Sequence, residues 1–167
     1  ILGWYGDFNR VRNEHYAMLP VGRQYGGMYC RAGHPLLRRG DVNAETLARY
    51  GIALISTSPS LMDSLAADYG FASGNHVPLA AECDDIALLA RLIAETDVLG
   101  LLPDAVINRQ GPKLRKLPTP GASLVFADVH AIWLKERTLS PAALRAIRLA
   151  QDIGGRIERE QAAIRAG

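Results

Sequence analysis

At 167 residues the chain holds either one large domain or two small lobes around a cleft. Apolar residues make up 49% and charged residues 22%, the balance of a globular protein, and the net charge is only +2. No run of basic residues forms a patch able to hold DNA by its backbone, and no apolar run reaches membrane-spanning length.

In chain order, Ile1–Tyr5 reads as a buried strand with no turn or cap before it, which marks the chain as a fragment of a longer protein. A polar loop, Gly6–His15, follows. Tyr16–Pro20 and Val21–Arg31 read as extended, with Gly26-Gly27 permitting a bulge or a close backbone approach. A Gly-x-Pro corner at Gly33–Pro35 ends the strand-like run. Asp41–Gly51 reads as a short helix that glycine stops, and Ile52–Ile55 as a buried strand. Ser60 and Asp63 have capping-box spacing and predict a helix over Leu61–Tyr69, stopped by Gly70.

Val77–Glu82 is the next strand. Asp84 or Asp85 caps a helix over Ile86–Glu95, whose apolar positions Ile86, Leu89, Leu92 and Ile93 form a stripe. Val98–Leu102 is a buried strand stopped by Pro103, with a short helix after it to Ile107. Leu114–Leu117 and Ala122–Lys135 read as extended. Ser140-Pro141 opens a helix that Gly154-Gly155 ends after Ile153, and Arg156–Ala166 is a separate charged helix.

Short apolar runs alternating with helices give an α/β fold with largely parallel strands. The β-α series in the middle is enclosed by flanks that must pair with each other, so the chain crosses twice between two lobes. The expected division is 1–34 with 129–167 as the first lobe and 35–128 as the second, with a cleft between them.

Ser56-Thr57-Ser58-Pro59-Ser60 is the best local site candidate. It links a buried strand to a helix N-terminus, at the carboxyl edge where open α/β sheets bind ligands. Hydroxyls and unpaired N–H groups there suit a carboxylate or another anion. The plain alternative is that Ser60 caps the helix and the other hydroxyls solvate a turn. Cys30 and Cys83 lack metal or CxxC spacing and fit a reducing cytoplasm, with structural roles expected. Adjacent Asp84 and Asp85 read as caps, not as a catalytic pair. No serine elbow, zinc-type His cluster or phosphate-cradling glycine loop is present, so neither an enzyme nor a cofactor is expected.

Several segments in the right order resemble the regulatory domain of the LysR-type transcriptional regulators. They are Cys30-Arg-Ala-Gly-His-Pro-Leu36, Ala81–Glu95 with its polar pair before an amphipathic helix, Val98-Leu-Gly-Leu-Leu-Pro103, and Trp133–Leu144. The resemblance implies a periplasmic-binding-protein-like fold of two α/β lobes, with the first lobe incomplete here. The family's two earlier strand–helix units and its upstream winged helix-turn-helix are both missing from this chain.

The resemblance also implies a regulator that binds a small effector between its lobes, forms a dimer or tetramer, and meets DNA only through the absent domain. The serine loop makes the expected effector an anion, and the thiols make the expected compartment the cytoplasm. Gly100, Leu101 and Pro103 would then form an apolar wall opposite Ser56, Thr57 and Ser58, with core packing as the alternative for each. Trp4 and Tyr5 would face the cleft from the other lobe, or be core. His130, at the second crossing, would sense an anion or pH, or simply be hydrogen-bonded. The rival readings are a free-standing solute-binding protein of the same fold and an enzyme built on it.

Overall fold

The structure is a computed structural model and describes residues 15–39, 42–55, 59–105, 113–118 and 125–166. Contacts divide the chain into two compact units, 1–25 with 125–167 and 26–124. In the first, β1 (Tyr16–Arg31) pairs antiparallel with β6 (Val125–Leu134), from Tyr16 opposite Leu134 to Tyr25 opposite Val125. The ladder shifts register between Pro20 and Gly22 and again between Gln24 and Tyr25. Proline explains the first shift, because Pro20 has no N–H to give the ladder. Arg23 Nε donates to Asp128 Oδ1 across the pair at 2.7 Å, an exposed bridge of small energetic weight.

The same unit holds α5 (Pro141–Ala166), with Ser140 as its polar start: the Ala143 N–H donates to Ser140 Oγ. The expected stop at Gly154-Gly155 does not occur; one helix runs through both glycines. Tertiary packing overrides their poor helix propensity. Ala143, Ile147, Ala150, Gly154 and Ile157 recur at helical spacing on the less exposed side. Gly154 lies where a Cβ would be 2.9 Å from the Val21 carbonyl carbon and 3.2 Å from Gly22 Cα, and would overlap the Val21 oxygen. Gln151 adds a hydrogen bond to the Pro20 carbonyl at 3.0 Å.

In the second unit the sheet order is β3-β2-β4-β1-β5. The strands β2 (Ile52–Leu54), β3 (Leu79–Glu82) and β4 (Leu99–Pro103) run parallel, while β1 is antiparallel to both β4 and β5 (Leu114–Lys116). Every residue of β2 and β4 is buried, as their unbroken apolar runs require of strands covered on both faces. One cover is α4 (Ile86–Glu95), which places Leu89, Ala90 and Ile93 on Tyr29, Ala53, Leu102 and Leu114. Each such large side chain contributes about 1.5–3 kcal/mol by leaving water. Gly100 has its counterpart here, because a Cβ on it would overlap Ile93 Cδ1 and lie 2.7 Å from Ile93 Cγ1.

The helix ends follow capping chemistry. In α2 (Ala44–Tyr50), Asn43 and Thr46 form a capping box, and Gly51 takes φ 71° at the other end. Asp85 caps α4 by accepting from the Ala87 and Leu88 N–H groups. The helix α3 spans Pro59–Tyr69, so Ser60 is inside its first turn and is not the cap. Proline at the first helical position explains the earlier start. Asp63 instead accepts the Gly74 N–H at 3.0 Å, tying α3 to the 3-10 turn Gly74–His76. Gly70 stops α3 with φ 82°.

The corner after β1 leads into the short α1 (Leu36–Arg39) and is pinned by a buried histidine. Leu36 N–H donates to His34 Nδ1 at 3.1 Å, which leaves Nε2 to donate to the Asp97 carbonyl at 3.0 Å. Arg31 Nε holds the carboxylate of the same Asp97 at 2.7 Å, and the Tyr50 ring meets His34 edge-on at 4.6 Å.

Candidate functional site

The parallel strands of the second unit end on one edge, β2 and β3 level at Leu54 and Glu82 and β4 two residues further on at Pro103. Ligands of open α/β sheets bind at this carboxyl edge. Beyond β3 lie Cys83 and the Asp85 cap of α4; beyond β4 comes Asp104. A groove of about 500 Å³ opens beside the β2 and β3 ends, lined by Leu54, Met62, Asp63, Asn75, Val77 and Glu82 among others.

A polar cluster joins β1, β5 and the residue that follows β4. Tyr29, 3% exposed, donates its hydroxyl to Asp104 Oδ1 at 2.6 Å. Lys116 stands opposite Tyr29 in the ladder. Its Nζ donates to both Asp104 oxygens, at 2.8 and 3.0 Å, and lies 5.9 Å above the Tyr29 ring. The lysine side chain reaches there across Gly27, where a Cβ would overlap Lys116 Cε. Burial, reinforced by the Asp104 carboxylate, pushes the Tyr29 phenol well above its usual range. Tyr29 therefore remains a donor at every physiological pH.

The two thiols differ. Cys30 is fully buried, and burial pushes its thiol up to about 11. Cys83 is partly exposed and accepts the Asp85 N–H at 3.4 Å. An aromatic disulfide reagent is expected to label Cys83 in the native protein and Cys30 only on unfolding. Equal native rates for the two, read by peptide mapping, would show that Cys30 is not sealed in the sheet.

Of the residues that sequence reasoning placed in a site, Gly100, Leu101 and Pro103 are buried in β4. Gly100 lies under Ile93, and Pro103 is level with Gly26. His130 is half-buried on β6 of the other unit, level with Pro20. Trp4, Tyr5, Ser56, Thr57 and Ser58 lie outside the described residues. Sequence reasoning missed the Tyr29, Asp104 and Lys116 cluster. Its signal in the sequence is faint: one of three lysines in an arginine-rich chain, and a glycine two residues before a strand tyrosine. Among the described residues no group of His, Cys, Asp or Glu is placed to hold a metal ion, and no helix is long and apolar enough to cross a membrane.

Residues 6–154 match the LysR substrate binding domain. The chain belongs to that family. This LysR substrate-binding domain is 34% identical over 143 residues to an SDS degradation transcriptional activation protein of Pseudomonas sp. (strain ATCC 19151), an alignment covering 82% of this chain and 45% of that protein. Its fold matches HinK, a LysR family transcriptional regulator from Pseudomonas aeruginosa, with a TM-score of 0.65 and 16% identity over 87% of this chain and 50% of that one. It also matches the effector binding domain of QuiR in complex with shikimate, with a TM-score of 0.61 and 18% identity over 87% and 68% of the two chains. The mixed α/β architecture is that of LysR effector-binding domains. The domain spans about half the length of the curated relative and of HinK.

Proposed function

We propose that this domain is the effector-sensing part of a bacterial LysR-type transcriptional regulator, and that the effector is a small anion. The observation that carries the reading is the family match over most of the chain, joined to a 34% identical relative that activates transcription. That relative favours a regulator over a free solute-binding protein. DNA contact is assigned to a part of the protein outside this sequence, and the regulator is proposed to act in the cytoplasm as a dimer or tetramer.

Ser56, Thr57 and Ser58, between β2 and α3, are proposed to meet the anion, with Pro103 at the neighbouring strand end. Two relatives support the charge: the name of one concerns SDS, an alkyl sulfate, and the other holds shikimate, a carboxylate. The ligand would act through different affinities for two arrangements of the domain.

Titration calorimetry with sodium octyl sulfate below its micellar concentration, against 1-octanol, tests this. Saturable binding of the sulfate alone is expected, weakened about tenfold in Thr57→Val with an unchanged melting temperature. Equal binding of octanol would remove the anion, and unaltered binding in the variant would remove the serine–threonine run.

A further inference from the structure

We infer that Lys116 is an oxyanion-recognition residue, an ammonium parked on Asp104 that moves to the carboxylate or sulfate group of a ligand. Three observations carry this, and it rests on the effector-binding reading above. First, the placement is built. Lys116 crosses β1 from β5 to reach Asp104 just past the end of β4, running over Gly27, where a Cβ would overlap its Cε. The path carries the ammonium toward the edge of the sheet where such folds take their ligands.

Second, Asp104 is held from two sides. If Lys116 turns away, the Tyr29 hydroxyl still donates to Asp104 Oδ1, so the carboxylate is not left without a partner. Tyr29 is itself fixed in the core under α4. An ion pair whose acid has a second, buried donor can open without stranding a charge, whereas an isolated buried pair cannot.

Third, the two members differ in reach. The Lys116 side chain is 39% exposed and that of Asp104 21%. Two of the three ammonium N–H groups are spent on Asp104. The third, and the mobility of a four-carbon stem, suit a compact cation that changes partner. Asp104 then acts as an internal competitor, so that weakly charged solutes do not displace it and a strong oxyanion does.

The test reads the whole chain by calorimetry with sodium octyl sulfate and by thermal shift with sodium sulfate against sodium chloride at equal ionic strength. Lys116→Met is expected to weaken octyl sulfate about tenfold or more, and Asp104→Asn to tighten it several-fold by removing the competitor. Sulfate is expected to raise the wild-type melting temperature above the chloride value, a difference lost in Lys116→Met and kept in Lys116→Arg. A purely structural clamp predicts the opposite pattern, with both neutralising variants lowering the melting temperature and neither changing anion response.

Octyl sulfate binding that survives intact in Lys116→Met overturns this inference while the effector reading stands. If octyl sulfate fails to bind any form, the alkyl sulfate reading is lost and the inorganic sulfate comparison decides. Loss of the sulfate shift in Lys116→Met upholds the role of Lys116, and the same response in both proteins rejects it. Unchanged or weaker binding in Asp104→Asn rejects the competition.

Discussion

Gly154→Ala is expected to destabilise the protein by about 2 kcal/mol, the scale of overpacking a tight contact, although alanine is the better helix former by about 1 kcal/mol. The reason is the approach of α5 to β1. The added methyl would overlap the Val21 oxygen and crowd Gly22 Cα, so the helix must lift or the strand must bend. Backbone atoms cannot turn aside as a side-chain end can. Gly155 is the internal control, because among the described residues a Cβ there meets only Arg159 Nη1, at 3.5 Å. Gly155→Ala is therefore expected to stabilise by up to about 1 kcal/mol. Chemical denaturation of the two variants gives the comparison. If both adjacent substitutions stabilise, the glycine contact between helix and strand is not a constraint.

The second large effect is expected at His34. His34→Ala leaves the Leu36 N–H and the Asp97 carbonyl without their partner and opens a hole against Tyr50. Buried polar groups left unpaired cost about 1–3 kcal/mol each, so a loss of about 3 kcal/mol and a fall in melting temperature of roughly 10 °C follow. The Leu36 amide should also exchange faster with solvent, because its acceptor has gone. A fall of less than about 2 °C with Leu36 still protected would mean that the corner is held by its backbone hydrogen bonds and the Arg31–Asp97 pair, without the imidazole. His34→Asn retains some hydrogen-bonding capacity and is expected to fall between the two. The corner that marks the family in the sequence is thus pinned by buried contacts of its own.

Much of the fold is legible in the order of the amino acids. The residues that stop helices, Gly51 and Gly70, do so with positive φ, and Asp85 caps α4 as its spacing implies. The apolar runs of β2 and β4 are buried throughout. These are local matters of backbone preference and hydrogen-bond supply, and a sequence window contains the whole cause. The family, too, follows from motifs in their order.

The site is less legible, because its parts come from far apart. Tyr29, Asp104 and Lys116 meet only through the ladder that sets β1 between β4 and β5, and no spacing in the chain announces that order. Gly27 reads locally as a site for a bulge, yet in the fold the lysine side chain lies over it.

Neighbours along the chain thus settle the alternation of strands and helices, most of their ends, and the family. Contacts between distant segments settle how far α5 runs, what His34 holds, and which charges share an edge. Gly154 shows why. In isolation glycine is a poor helix residue, but with a strand backbone against it no side chain fits, and exclusion of volume outweighs about 1 kcal/mol of propensity.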